Sequence, residues 1–391
     1  MKAAVVRARW EPRATYQVSE WERATGKALN GSSVWRYPQL ALEELPEPSP
    51  AADEVVIAVR ACGICGSDVH FLETDSEGYM LYPGLTKFPV VIGHEFSGEV
   101  VAKGEAVQEL KLGQMVVAEE MNWCGYCAPC RNGFPNHCQN LEELGFTVPG
   151  AMAERIAVKA KYCWPIDAIA AHVGDAQKAF ELGALVEPTA VSYNAIFSRA
   201  GGIRPGERVA VFGCGPIGLA AIALARTAGA SRVEAFEISP VRRELALRVG
   251  ADAAHDPKAV DPAAILLESS AGEGFDLFVE AAGAPERTIP AMERALAINA
   301  RVVQIGRAAQ RVPIYLETFQ VRRAQVFGSQ GHSGHGNFPN VIRLLAAGRL
   351  DLSPIITARF PLAEVASAMQ RASARQDGKV MVLPSQSRQA C

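Results

Sequence analysis

"VAVFGCGPIGLAAIALARTAGA", Val209 to Ala230, joins an apolar strand to an apolar helix through Gly213, Cys214, Gly215, Pro216, Ile217 and Gly218. Glycines at such a turn let the backbone bend sharply and come close to a pyrophosphate, whose charge the free N–H groups of the helix N-terminus stabilise. The motif alone is weak, and its context strengthens it. The next strand, "RVEAF", leads into Glu237, nineteen residues after Gly218, where an acidic side chain can bind both ribose hydroxyls of NAD. Glu237 would repel a 2′-phosphate, so NAD is expected rather than NADP. Arg242 and Arg243 pull the other way, since an arginine there can accept that phosphate. "SPVRRELALRVGA" also reads as a helix with a solvated basic face, which is the expectation, although Arg242 stays among the coenzyme-binding candidates.

Outward from this turn, strands alternate with helices from about Ala190: "RVEAFEISPVRRELALRVGA", "FDLFVEAAGAPERTIPAMERALA", "ARVVQIGRA" and "AQVFGSQG". That alternation implies an α/β fold with a doubly wound parallel sheet. From Val55 to about Val158 the texture differs, with short β-branched runs broken by glycine and proline, as in "FPVVIGHEFSGEVVAKG" and "AMAERIAV", and predicts a β-rich domain. After Phe338 come two helices, "PNVIRLLAAG" and "LAEVASAMQRA", and a last strand, "GKVMVLP". Residues Glu11 to Tyr37 fit neither half. Trp10, Trp21 and Trp35 make this segment either a packing arm, a partner contact or a surface loop.

At 391 residues the chain exceeds what one core usually serves, so two domains are expected. With 49% hydrophobic and 21% charged residues and a formal net charge of -3, neither disorder nor binding to nucleic acid or an anionic membrane is indicated. A small soluble ligand is the expected partner. "MKAAVVRARWEPR" meets Arg7 and Arg9 before any apolar region of signal-peptide length forms, and Val209 to Ala225 is too short and too rich in glycine and proline for a membrane span. A cytoplasmic protein is therefore expected. The nine cysteines, Cys62, Cys65, Cys124, Cys127, Cys130, Cys138, Cys163, Cys214 and Cys391, are an odd number, which disfavours a disulfide framework.

"WCGYCAPCRNGFPNHC", Trp123 to Cys138, carries four of them: Cys124, Cys127, Cys130 and Cys138. With Gly125, Pro129, Gly133 and Pro135 turning the chain between them, four thiolates can surround one tetrahedral zinc. Such a shell is closed to substrate, so the site should be structural. A redox dithiol would leave two of the thiols unexplained. His137 reads as a bystander.

A second constellation lies in "ACGICGSDVH" and "VIGHEFSGEV": Cys65, Ser67, Asp68, His70, His94 and Glu95. Cys65 and His94 offer a thiolate and an imidazole on glycine-bounded loops, and the third ligand is Glu95 or Glu187 of "LVEPTAVSYNA". One thiolate, one imidazole and one carboxylate cancel the charge of Zn²⁺ and leave a coordination position open to water or an alcohol oxygen.

Cys65 followed by Gly-Ser-Asp, "GHE" at Gly93 to Glu95, the four-cysteine lobe, "GCGPIG" and "VEPTAVSYNA" together resemble the zinc-containing medium-chain dehydrogenase/reductase family. The resemblance covers nearly the whole chain apart from the early insertion. It implies a GroES-like catalytic domain at 1–188, with a structural zinc lobe near 119–145, a Rossmann NAD-binding domain at 189–338, and a return to the catalytic domain at 339–391. It also implies two zinc ions, one catalytic and one structural. Glu187 departs from typical alcohol dehydrogenases, which carry cysteine there, and looks like the polyol, glucose and threonine dehydrogenases. In such relatives either glutamate can enter the inner shell.

"VWRYPQLALEELPEP", "GYMLYPGLTKFP" and "QVRRAQVFGSQGHSGHGNFP" look most like bacterial inositol-pathway dehydrogenases of the scyllo-inosose type. A polyol or cyclitol substrate is therefore expected, with threonine, sorbitol and glucose as alternatives. Ser67 and His70 match the family's proton relay, in which the serine accepts the hydroxyl proton and the histidine passes it toward solvent. Either could instead be a loop hydrogen-bonding residue. His332 and His335 are candidates for contact with a polyhydroxyl substrate or the nicotinamide side, or else solvated loop residues. Relatives form dimers and tetramers, so a homo-oligomer is expected. A nucleotide-binding regulator without catalysis and a zinc-dependent hydrolase or lyase are the rivals; the intact ligand and relay residues argue against the first and the dinucleotide loop against the second.

Overall fold

The computed structural model describes residues 1–308 and 310–385; Cys391 lies outside them. The chain divides into two compact units. One comprises Met1–Glu187, Ala358–Ala374 and the chain from Val380 onward, the other Pro188–Thr357 and Arg375–Lys379.

The first unit is β-rich. Strands β1 (Lys2–Trp10), β2 (Trp35–Glu44), β3 (Glu54–Gly63), β4 (Val90–Val91), β5 (Glu95–Lys103) and β6 (Met115–Ala118) are followed by β7 (Met121–Asn122), β8 (Glu142–Glu143), β9 (Arg155–Lys159) and β10 (Cys163–Pro165). β1 lies between β2 and β4, while β3 pairs with both β5 and β9 and β5 continues to β6 and β10. The core is aliphatic and aromatic: Val55, Ile57 and Val59 on β3 and Phe96 and Val100 on β5 are buried in one cluster with Phe71 and Ile92.

The second unit carries the parallel sheet. Strands β11 (Arg208–Phe212), β12 (Arg232–Phe236), β13 (Ala253–His255), β14 (Phe275–Glu280), β15 (Leu296–Gln304) and β16 (Gln325–Gly328) lie in the order β13-β12-β11-β14-β15-β16. That order is two mononucleotide-binding halves meeting between β11 and β14. "VAVF" in β11 is buried throughout, as a strand covered on both faces must be. The helix Pro216–Thr227 is likewise buried from Gly218 to Ala225, with Pro216 at its first turn. A Cβ on Gly218 would stand 1.8 Å from the Gly213 carbonyl oxygen, so only glycine lets the helix lie this close to the strand. β17 (Ile356–Pro361) and β18 (Lys379–Leu383) return to the first unit's sheet, where β18 pairs with β3.

The second unit runs past Phe338 to Thr357 and includes 375–379. The helix Asn337–Ala346 buries Phe338, Val341 and Leu345. Ser198 Oγ donates to Asn337 Oδ1 at 2.8 Å and Asn340 Nδ2 to the Tyr193 hydroxyl at 3.1 Å, tying its start to the same unit. Among the described residues no helix is long and apolar enough to cross a membrane.

The early insertion is an excursion between paired strands, since Trp10 lies opposite Trp35 across β1 and β2. Trp35 is buried edge-on between Trp10 and Phe88, whereas Trp21 is exposed. The segment is thus an ordered packing arm with one tryptophan left outside. Glu22 fastens it: its carboxylate accepts the Tyr16 hydroxyl (2.8 Å), the Leu29 N–H (2.9 Å) and both the N–H and hydroxyl of Ser19 (2.8 Å each). Ser19 in turn caps the helix Glu20–Thr25 in a capping box.

Glu22→Gln, which puts an amide where those donors converge, should lower stability by about 1–3 kcal/mol. Burial pushes the Glu22 carboxyl up, but the Ser19, Leu29 and Tyr16 donors outweigh it and hold it below its ordinary value. A depressed native pKa contributes stability above the unfolded value that disappears as pH falls through the native one. Denaturation curves of the two proteins should therefore differ at neutral pH and draw together as the pH falls below the ordinary glutamate value of about 4.3. A gap independent of pH would show that the carboxylate charge is irrelevant.

Candidate functional site

β3 and β5 run antiparallel with Gly63 opposite Glu95. Cys65 lies two residues beyond the end of β3 and His94 immediately precedes β5, so the pairing itself brings them side by side. Cys65 also heads the helix Gly66–Leu72, where the Asp68 carboxylate accepts its N–H at 2.9 Å. The same carboxylate accepts the Gly93 N–H at 3.2 Å and lies 3.8 Å from His94 Nδ1. Asp68, fully buried, thus clamps the loops that carry Cys65 and His94 together. Gly93 has φ +90°, and a Cβ there would meet Met152 Cγ at 2.6 Å and Cys62 Sγ at 2.9 Å. The ring of His94 rests on Phe146, with centroids 4.8 Å apart.

Ligand atoms of Cys65, His94 and Glu95 all lie within 4.8 Å of one another. Glu187, buried at the start of the helix Val186–Tyr193, acts on His94 electrostatically. Burial favours the neutral imidazole, but Asp68, Cys65 and Glu187 overcome it and hold the His94 pKa well above the ordinary value. The pocket is therefore built to stabilise positive charge, which with a thiolate, an imidazole and carboxylates fits Zn²⁺. Glu120, which the sequence reading passed over, is also buried, and its carboxylate lies within 4.8 Å of that of Glu187. Its only sequence signal is the acidic pair "EE" that ends the apolar run "MVVA".

Ser67 Oγ is buried and lacks a hydrogen-bond partner among the described residues. His70, three residues on along the same helix, keeps Nδ1 at 2.9 Å from Glu73 Oε2.

Cys124, Cys127, Cys130 and Cys138 also gather within 4.8 Å. The Cys127–Cys138 sulfur separation of 3.8 Å matches the edge of a tetrahedron with Zn–S bonds of about 2.3 Å. Backbone N–H groups point at the sulfurs: Cys127 N at Cys124 Sγ (3.4 Å), and Cys124 N and Asn140 N at Cys138 Sγ (3.3 Å each). Burial opposes ionisation of Cys124, but the donors of Tyr126, Asn140 and Cys127 bring its thiol down to about 6. Burial and the neighbouring thiols push Cys130 up. Four thiolates this close require a cation. His137 is exposed on the turn before Cys138.

In the second unit Gly213, with φ +89°, opens the glycine turn, while Pro216 and Ile217 start the helix that Gly218 packs against β11. Glu237 is buried just past β12. Its Oε2 accepts the Cys214 N–H at 2.7 Å and its Oε1 the Ser239 N–H at 2.8 Å, so the acid is held against the turn. The solvated basic face expected of Arg242 and Arg243 is not what forms. Arg242 Nε donates to the Asp377 carbonyl at 2.8 Å, and Arg243 Nη1 donates to the carbonyls of Glu237 (2.8 Å) and Ile238 (2.9 Å). The segment 375–379 packs on this helix, which no local pattern in "SPVRRELALRVGA" announces. His332 is buried against Phe338, its carbonyl accepting Asn337 Nδ2 at 2.9 Å, whereas His335 is exposed.

Residues 51–168 match the alcohol dehydrogenase GroES-like domain and residues 216–347 the zinc-binding dehydrogenase domain. The chain is 48% identical to the scyllo-inosose 3-dehydrogenase of Thermotoga maritima over 95% of its own length and 96% of that protein. A solved Thermotoga maritima structure, provisionally named an alcohol dehydrogenase, superposes with a TM-score of 0.94 at 47% identity, covering 98% of this chain and 99% of the other. A zinc-binding dehydrogenase of Sinorhizobium meliloti, also named provisionally and solved with NADP bound, gives 0.77 at 30% identity over 92% of this chain and 99% of its own. With its GroES-like and parallel-sheet units and both cysteine-bearing constellations, the chain belongs to the zinc-containing medium-chain dehydrogenase family and is an oxidoreductase.

Proposed function

We propose that this dehydrogenase exchanges hydride between a secondary alcohol of a cyclitol or related polyol and NAD, with scyllo-inosose as the favoured substrate, in the cytoplasm. The observation that carries the reading is the cluster of Cys65, His94 and Glu95 with Glu187 beside it, a carboxylate-rich donor set. The Thermotoga relative's name supports an inosose. Zinc bound by Cys65, His94 and a glutamate supplies Lewis acidity that lowers the pKa of an alcohol oxygen. Glu95, within the compact donor group, is the inner carboxylate in this reading, and Glu187 stands in the next layer. Ser67 Oγ, buried and two residues past Cys65, takes up the hydroxyl proton, and His70, on the same helical face, passes it outward.

NAD is favoured although the Sinorhizobium neighbour holds NADP. Glu237 is buried with each oxygen accepting an N–H group, from Cys214 and from Ser239, so its carboxylate is fixed where a 2′-phosphate would crowd it, and Arg243 is engaged by the Glu237 and Ile238 carbonyls. The reading includes a homo-oligomer. β16 is the sheet's edge strand, and Val326 on it and Leu316 and Val321 nearby in sequence are exposed, a surface that a second copy would cover.

With inosose, inositol, sorbitol, glucose and threonine as substrates, kcat/KM should be highest for the inosose pair and at least tenfold higher with NAD than NADP; threonine in first place would refute the substrate assignment. Elemental analysis should find two zinc ions per wild-type chain. Cys65→Ser should keep one, bind NADH normally and lose turnover by a factor of a thousand or more. Cys124→Ser should lose the structural zinc and melt at lower temperature; a fully loaded, equally stable variant would contradict that role. Light scattering should give a mass of at least two chains, and Val326→Lys should reduce it.

A further inference from the structure

Glu280 is fully buried at the C-terminal end of β14. Across the sheet it stands level with Phe212, the last residue before the glycine turn, and with Gln304, the last of β15. Its Oε1 accepts the N–H groups of Ala282 (3.2 Å) and Ala284 (3.4 Å) and the Thr288 hydroxyl (3.4 Å). Its Oε2 accepts the Gly283 N–H (3.3 Å) and the Gln304 side-chain amide (2.8 Å). The backbone carbonyl of Glu280 accepts Ile305 and Gly306, each at 3.0 Å. One residue therefore fixes both the loop after β14 and the loop after β15.

These loops also touch the glycine turn. Ala281 N donates to the Phe212 carbonyl at 2.8 Å, and a Cβ on Gly213 would stand 2.6 Å from Ala282 Cα. A Cβ on Gly306 would meet Gly283 N at 2.4 Å and Glu280 Oε2 at 2.6 Å. Three loops at the carboxyl ends of β11, β14 and β15 are packed without room for a methyl group. Ligands of a doubly wound sheet bind outside those strand ends. Glu237 serves the β12 half, so β14 and β15 border the other mononucleotide.

We propose that Glu280 is a positioning residue for the nicotinamide half of the coenzyme, its carboxylate setting the backbone of the loops 281–284 and 305–307. Burial pushes this carboxyl up against the N–H groups that hold it down, a cost that a mere loop anchor could avoid with a neutral side chain. The assignment rests on the coenzyme reading above, and a half-coenzyme separates the two.

The test is a calorimetric titration of the full-length, zinc-loaded protein with ADP and with NADH. Glu280→Gln introduces an amide among N–H donors. It should bind ADP within twofold of wild type and NADH at least tenfold more weakly, with KM for NAD raised and kcat at saturating NAD changed little. Gln304→Leu, which removes the shortest contact and leaves the carboxylate, should weaken NADH about threefold and keeps the test valid if Glu280→Gln folds poorly. Glu234→Gln is the control. Glu234 is a fully buried carboxylate in the middle of β12, held by His255 at 2.8 Å and by Arg232, and should lose thermal stability with no change in NADH affinity. Wild-type NADH affinity in Glu280→Gln or Gln304→Leu, or an equal loss of ADP and NADH binding, overturns the assignment. A wild-type protein that binds neither ligand would remove the coenzyme reading and this assignment together.

Discussion

Cys65, Glu95 and Glu187 set three acidic groups about the buried imidazole of His94, with Asp68 behind it and Glu120 beside Glu187. Withdrawing a carboxylate from water costs several kcal/mol even after the protein relaxes, and like charges this close add to that cost. Positive charge at the centre of the arrangement relieves that cost. Asp68, Cys65 and Glu187 raise the His94 pKa against the effect of burial, so positive charge at this point is favoured. The surrounding β structure builds the cluster: the register of β3 on β5 brings Cys65 and His94 together, and Asp68 ties their loops to one another.

The second unit applies the same economy of charge at the ends of its parallel strands. Glu237 and Glu280 are both buried carboxylates that follow or end a strand and are held by backbone N–H groups of the adjoining turns. Each converts a flexible glycine-rich loop into a fixed surface. The glycines permit the close approach, and the acids decide which of the accessible backbone shapes is kept.

Local chemistry made much of this legible. The glycine turn, the four-cysteine lobe and the Cys65 and His94 loops each concentrate their information in a few adjacent residues, so spacing alone points to turn, tetrahedron or ligand. What escaped depends on distant partners. Glu120 looks like any surface acid until Glu187 is found beside it. Arg242 reads as part of a wet helical face because Asp377, whose carbonyl accepts its Nε, lies more than 130 residues away. The apolar stripe of the helix Asn337–Ala346 states that the helix packs, not against what. The hold of Glu22 on the insertion is local instead, since its donors Tyr16, Ser19 and Leu29 all lie within seven residues of it, and Ser19 three residues before Glu22 is itself a capping-box spacing.

Diffraction recorded on either side of the zinc absorption edge, from crystals of protein shown to oxidise a cyclitol with NAD, tests the central claim most directly. Two anomalous peaks per chain are expected, one inside the four cysteines and one bounded by Cys65, His94 and a glutamate. An active enzyme with a full peak at the cysteine lobe and none beside Cys65 and His94 would contradict the account.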